Sequence, residues 1–311
     1  MKAVRATDRG IAVVDLDEPP GTGELLRIRS ASICVSDFMY MKYGSRRVMG
    51  HELAGFREDG TAVAVESFYS CLHCELCRTG RYNLCAAQSE RALGWSLDGG
   101  MSEHFRAPAP HLVALPSGLD IRDACLVEPA AVAWHAVHLG GVGEATRVAV
   151  VGAGALGLLA VSAARRQGAP EVAVETLFRH QEAAAERLGA HVGAEGLYDV
   201  VIEAGGTSGS LARSIELVAP SGTVSALGVH MGKVEVDWSL LFEREARVLP
   251  SRGFCSHGGV REIEEAAAML AADPEIPRTL VTHRFPIEDA AEAYRVAEDK
   301  STGSIRVVVE P

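Results

Sequence analysis

The chain has 311 residues, 48% of them hydrophobic, and a formal net charge of −11, which leaves room for one large or two ordinary domains with a full core. The acidic balance and the lack of any Lys/Arg cluster exclude nucleic acid as the expected partner. Met1-Lys-Ala-Val-Arg-Ala-Thr-Asp-Arg9 has no apolar signal segment, so the cytoplasm is the expected location, and there seven Cys point to metal before disulfide.

Ala3-Val4, Ile11–Val14 and Leu25–Ile28 are short apolar pieces, broken by Asp8-Arg-Gly10 and Pro19-Pro-Gly-Thr-Gly23. They predict an all-β opening. Ala31-Ser-Ile-Cys34-Val-Ser36-Asp37 comes next. A Cys near a strand end is most often a small buried hydrophobe. Gly50-His51-Glu52-Leu-Ala-Gly55 changes that reading. It is not the H-E-x-x-H of zinc proteases, because no second His follows on a helix face. Cys34 and His51 together offer a thiolate and an imidazole, a pair suited to zinc.

Cys71-Leu-His-Cys74-Glu-Leu-Cys77, followed by Cys85, is the most specific pattern in the chain. Four thiolates from one short lobe can close around a tetrahedral Zn²⁺ with no position left for water, which makes the site structural. A thioredoxin-like redox pair would need a strand-to-helix transition around Cys71 and Cys74. An iron–sulfur cluster is the remaining alternative. His73 reads as a surface residue, since four Cys suffice.

Gly94–Gly100 is a turn, and Met101–Val113 reads as strand pieces with Pro108 and Pro110 at edges. From Asp120 the pattern turns helical and runs to Leu139, with Glu128-Pro129 inside an apolar neighbourhood. Glu128 is either a helix-start carboxylate favoured by the dipole or a metal carboxylate. Arg147-Val-Ala-Val-Val-Gly152-Ala-Gly154-Ala155-Leu156-Gly157 then gives a buried strand, a G-x-G-x-x-G turn and a helix stopped by Gly168. Gly152 permits the tight turn, Gly154 lets backbone N–H groups approach a pyrophosphate, and Gly157 lets helix pack on strand. The helix N-terminus adds partial positive charge. Val148–Ala164 is too short for a membrane span, and Arg147, Arg165 and Arg166 flank it. Beyond it, strand 171–175, helix 181–188, strand 200–203, a helix to Leu217, a turn at Pro220-Ser-Gly222 and strand 224–229 alternate regularly. The end reads as helix 260–270, strand 280–285, helix 287–296 and strand 305–309.

Taken together, Cys34, Gly50-His51-Glu52-Leu-Ala-Gly55, Cys71/Cys74/Cys77/Cys85, Glu128-Pro129 and Gly152/Gly154/Gly157 resemble, in order, the motifs of the zinc-dependent medium-chain dehydrogenase/reductase family, that of the zinc alcohol and polyol dehydrogenases. The resemblance covers essentially the whole chain. It implies an α/β protein: a GroES-like β-rich catalytic domain, 1–128 and 256–311, and a Rossmann NAD(P)-binding domain with a doubly wound parallel sheet, 129–255. Cys34 and His51 would hold a catalytic zinc, with Glu52 or Glu128 as third ligand. Ser36 would relay the alcohol proton, Asp37 would orient His51, and Arg306 would reach the cofactor pyrophosphate. A homo-oligomer, dimer or tetramer, acting on a small alcohol or carbonyl substrate is also implied.

The chain departs from the family pattern in three places. The segment between Gly55 and Cys71 is shorter than usual, which implies a trimmed strand pair in the β-rich domain. Met39 stands where many members have a His. Thr176 stands where the ribose-binding acid falls, with Glu175 before it and Arg179 after it. Thr176 with Arg179 suits a 2′-phosphate, which leans the choice to NADP, while Glu175 could serve NAD. The competing reading is a non-catalytic NADP- and zinc-binding protein on the same fold. It predicts damage at the ligands, whereas Cys34, Ser36, His51 and Glu52 are all present.

Overall fold

Strand Glu24–Ser32 organises the first sheet. Its buried Leu26, Ile28 and Ser30 alternate with exposed Arg27 and Arg29, the two-residue period of a half-buried strand, before Ala31 and Ser32 are both buried. It pairs antiparallel with Glu52–Arg57, His104–Ala107 and Arg306–Glu310. The computed structural model describes residues 1–311 and divides them into two compact units, Met1–Glu128 with Ser256–Pro311, and Pro129–Cys255.

In the first unit the seven-stranded sheet runs Val281–Pro286, Arg306–Glu310, Glu24–Ser32, Glu52–Arg57, Ala62–Val65 and Leu112–Ala114, with His104–Ala107 beside Glu24–Ser32. Lys2–Thr7 and Gly10–Asp15 form a separate hairpin. One core joins Leu26, Ile28, Met49, Leu53, Phe105 and Met101 to Ile287, Tyr294, Val307 and Val309. The C-terminal return is therefore part of this core and not an appendage.

The second unit is a six-stranded parallel sheet in the order His191–Val192, Glu171–Glu175, Arg147–Val151, Tyr198–Glu203, Val218–Ala226, Arg247–Pro250. Strand order reverses between Arg147–Val151 and Tyr198–Glu203, the topological switch point at which α/β sheets bind ligands. Val148–Val151 are all buried, as a strand covered on both faces requires. Each such Val contributes on the order of 1.5–3 kcal/mol.

Local details differ from the sequence reading. Helix Val35–Lys42 was not expected, nor was helix Glu275–Leu280. The turn at Pro220-Ser-Gly222 is absorbed into strand Val218–Ala226, with Ser221 at φ 61. Val260–Arg261 pairs with Ser256–His257, and the helix starts only at Glu262. Three acids in its first turn, Glu262, Glu264 and Glu265, favour that start through the dipole. No helix is long and apolar enough to cross a membrane.

Candidate active site and metal centres

Cys34 ends the central strand region and caps helix Val35–Lys42. Asp37, in the first turn, reaches back with Oδ2 to accept from the Cys34 backbone N–H at 3.0 Å, the reciprocal half of a capping box. The cap fixes where Cys34, Ser36 and Asp37 stand. His51 precedes strand Glu52–Arg57, and Glu52 pairs with Ser32 across the sheet. One ligand atom each from Cys34, His51 and Glu52 lies within 4.8 Å of the others.

Ser36 Oγ lies 3.1 Å from His51 Nε2 and donates to Cys34 Sγ at 3.0 Å. Asp37 Oδ1 stands 3.2 Å from His51 Nδ1, an ion-pair approach off line for a hydrogen bond. Tyr294 donates to the other Asp37 oxygen at 3.4 Å. Burial opposes a charged His51, but Asp37 outweighs it and holds the imidazole well above its usual range. The Tyr40 ring lies 5.8 Å from that of His51 and 5.5 Å from that of Trp95.

The two carboxylates differ in their commitments. Glu52 accepts from Arg306 Nη1 at 3.0 and 2.9 Å on its two oxygens, and Ser32 also donates to it. Glu128, buried in the first turn of helix Val127–Gly140, accepts one hydrogen bond, from Ser67 Oγ to Oε1 at 2.5 Å. Burial and the neighbouring Glu52 push Glu128 up to about 7, against the pull of His51, Ser67 and Arg306. A soft thiolate, an imidazole and a carboxyl are a donor set that Zn²⁺ accepts; Glu128 lies outside the group whose ligand atoms meet within 4.8 Å.

Arg306 departs from expectation. It was expected at the cofactor pyrophosphate, yet it is 4% exposed and its Nη1 serves Glu52 and the Ile33 carbonyl. A guanidinium buried in a sheet needs a carboxylate partner, and Glu52 is the one at hand.

Cys71, Cys74, Cys77 and Cys85 converge in the lobe that follows strand Ala62–Val65. Sulfur separations are 3.8 Å for Cys71–Cys77, 3.5 Å for Cys74–Cys77 and 3.9 Å for Cys74–Cys85. A tetrahedral ion with metal–sulfur bonds of about 2.3 Å needs roughly 3.8 Å. Leu72 takes φ 64, and backbone N–H groups of Cys74 and Cys71 point at Cys71 Sγ and Cys85 Sγ at 3.3 and 3.4 Å. The His73 and Cys74 amides pull the Cys71 thiol down to about 6, while burial and the neighbouring thiols push Cys77 up to about 12. His73 is exposed and outside the sulfur set. A single helical turn, Glu75–Arg78, starts inside the lobe.

In the second unit the glycine turn has the expected form. Gly152 adopts φ 104, and a Cβ on Gly157 would sit 1.8 Å from the Gly152 carbonyl oxygen. A Cβ on exposed Gly154 would meet nothing within 4 Å. Half-buried Ala155 and Leu156 open helix Ala155–Arg166, which has no side-chain cap. The first N–H groups of this helix are thus left without a side-chain cap, as a helix start that receives a phosphate requires. Glu175 does not stand free beside it. Arg213 Nη2 and Nε donate to Glu175 Oε1 at 2.7 and 2.9 Å. Thr176 is half-buried, and Arg179 is exposed at the start of helix Arg179–Arg187.

Ser67, Arg213, Tyr40 and Tyr294 escaped the sequence reading. Only Tyr40, three residues past Asp37, carried a local hint.

The alcohol dehydrogenase GroES-like domain family matches residues 21–117, and the glucose dehydrogenase C-terminus family matches residues 122–310. L-galactonate-5-dehydrogenase of Escherichia coli strain K12 is 29% identical over 307 residues, covering 88% of each chain. Sorbitol dehydrogenase of Homo sapiens is 29% identical over 318 residues, covering 88% of this chain and 86% of its own. The structure of a Sinorhizobium meliloti 1021 protein described as a zinc-binding dehydrogenase, bound to NADP, superposes with a TM-score of 0.88 at 28% identity, covering 100% of this chain and 99% of its own. With both family domains matched in order along one chain whose cysteine, histidine and glutamate side chains meet as described, the protein belongs to the zinc-dependent medium-chain dehydrogenase/reductase family and is an oxidoreductase.

Proposed function

We propose that the enzyme moves hydride between the carbinol carbon of an alcohol or polyol and NAD(P), and that Cys34, His51 and a carboxylate from Glu52 or Glu128 hold the zinc it uses. The observation that carries this reading is the convergence of Cys34, His51 and Glu52 ligand atoms within 4.8 Å. Relatives named for sorbitol and L-galactonate support a polyhydroxylated substrate.

When bound there, Zn²⁺ supplies Lewis acidity that eases loss of the hydroxyl proton. Ser36, 3.1 Å from His51 Nε2, receives that proton and passes it outward. Asp37 fixes the His51 ring from the Nδ1 side, the usual support of a ligating imidazole. Arg306 neutralises Glu52, so the buried site does not carry two bare carboxylates. The first unit is the catalytic domain, and the Gly152–Gly157 turn of the second holds the dinucleotide pyrophosphate.

A second, structural zinc sits among Cys71, Cys74, Cys77 and Cys85. NADP is the preferred cofactor, because Thr176 brings no charge to repel a 2′-phosphate and Arg213 holds the nearest acid, Glu175. The chain assembles as a homo-oligomer, dimer or tetramer, which accounts for Trp238 and Phe242 lying 71% and 76% exposed on helix Trp238–Arg244. It works in the cytoplasm.

The test is an assay of sugar alcohols and simple secondary alcohols with NAD⁺ and with NADP⁺, reading absorbance at the reduced nicotinamide band. Turnover on a polyol that disappears in Cys34→Ser supports the reading. No turnover across the panel in either direction, with cofactor bound, contradicts it.

A further inference from the structure

We propose that Ser67 is a positioning residue for metal binding, fixing the Glu128 carboxylate in the place from which it would turn toward the Cys34/His51/Glu52 cluster. The proposal rests on the metal reading above and adds a residue that contributes no ligand itself.

Ser67 follows strand Ala62–Val65 by two residues, on the segment that leads into the cysteine lobe. Its hydroxyl donates to Glu128 Oε1 at 2.5 Å, with both side chains buried. It is the sole hydrogen bond to that carboxyl. Glu52 is different, because Arg306 and Ser32 already occupy its oxygens. Glu128 Oε2 has no such commitment, and the carboxyl, outside the group that meets within 4.8 Å, still interacts electrostatically with both Glu52 and His51. The carboxylate still free to turn toward a cation is thus the one that Ser67 steers.

The donor is itself rigidly held. The Leu93 amide donates to the Ser67 carbonyl at 3.0 Å, the Glu66 amide to the His111 carbonyl at 3.0 Å, and the Tyr69 amide to the Arg91 carbonyl at 3.0 Å. The Glu66 side chain is pinned by His111 at 2.5 Å and by Arg261 at 2.7 Å. A hydroxyl on so fixed a backbone costs little further ordering when it directs a carboxylate. Outer partners of this kind set ligand orientation, and their loss costs roughly tenfold to hundredfold in metal affinity.

The experiment titrates Co²⁺ into the full-length protein after removal of its labile metal, reading the visible thiolate–cobalt bands. Parent, S67A, S67T, E128Q, E128D and S67A/E128Q are compared, with C34S as the site control. Loss of roughly tenfold in affinity is expected for S67A. S67T should return to within about twofold of parent, and S67A should add nothing in the E128Q background. E128D, which draws the carboxylate back from Ser67, should lose affinity like S67A and give the answer should S67A fail to fold. S67A and E128D at parental affinity would overturn the proposal. So would an S67A loss that persists undiminished in E128Q. Cobalt bands unchanged in C34S would instead show that the metal reading itself fails, and the proposal with it.

Discussion

Arg306 Nη1 lies 2.9 Å from Glu52 Oε2, and both side chains are buried. The pair joins the C-terminal strand to the carboxyl beside His51. Breaking a buried ion pair by removing one partner leaves an uncompensated charge, at a cost of about 3–5 kcal/mol. Arg306→Met should therefore lower the unfolding free energy by about that amount, measured by denaturant titration. The double variant Arg306→Met/Glu52→Gln should recover much of the loss, because no charge is then stranded. Additive losses in the double variant would contradict the pairing.

A second prediction concerns pH. Glu128 titrates at about 7 in the folded chain without metal, against roughly 4.3 for an unperturbed Glu. Between these values the folded state keeps a proton that the unfolded chain has lost. Stability from this group is therefore full below the unfolded pKa and falls as pH rises toward 7. His51, also raised, has the same sign and loses its contribution as pH passes its folded pKa. Metal-depleted protein should lose roughly 2–3 kcal/mol from Glu128 between pH 5 and 8. The measurement is urea unfolding at both pH values for parent and Glu128→Gln, whose pH slope should be smaller by that amount. Zinc should reverse the trend, because its ligands must shed their protons.

Much of the site was legible where the chemistry is local in sequence. The cysteine spacing 71–74–77–85 and the glycine spacing 152–154–157 each encode one short loop, and those loops folded as read. Cys34 with His51 was legible from donor chemistry, whereas Glu52 entered, beside Glu128, only through the family resemblance. The missing parts are contacts between remote positions. Ser67 and Glu128 are 61 residues apart, Arg306 and Glu52 are 254 apart, and Arg213 and Glu175 are 38 apart. No local pattern announces a partner at such distances. Helix Val35–Lys42 hid for another reason. Val35-Ser-Asp-Phe-Met-Tyr-Met-Lys42 has no clean apolar stripe, and its start is set by Asp37 capping Cys34. The partner of Glu175 was hidden by sequence distance, because Arg213 arrives from helix Ser208–Leu217.

His51 and Ser36 should differ in turnover. His51→Ala removes a proposed metal ligand, and turnover should fall to background while dinucleotide affinity stays within about twofold. Ser36→Ala removes only a proton carrier, for which water partly substitutes, so a loss of about 10²-fold is expected, the lower end for proton-transfer groups. Steady-state kinetics and cofactor titration read both. A His51→Ala variant with near-parental turnover would contradict the mechanism.

Cofactor choice should follow position 176. Parent protein should bind NADP more tightly than NAD, and Thr176→Asp should reverse the order by placing a carboxylate where the 2′-phosphate would lie. Arg179, exposed and without an ion-pair partner, would add a charge-assisted contact worth on the order of 1.5–3 kcal/mol. Fluorescence titration with both cofactors decides it. A parent that binds NAD tenfold more tightly would mean that Glu175 leaves Arg213 to take the ribose.

The central claim is that two separate side-chain sets hold zinc, one closed and one open. The measurement is zinc per chain by mass spectrometry before and after mild chelation, in parent, His51→Ala and Cys71→Ser. The account predicts two zinc ions in the parent and one after chelation, because the four-thiolate ion is also folding energy. His51→Ala should hold one ion that chelation does not remove, and Cys71→Ser should lose that resistant ion and melt at a lower temperature. A parent with no tightly held zinc, or a His51→Ala variant that still carries two ions, would contradict it.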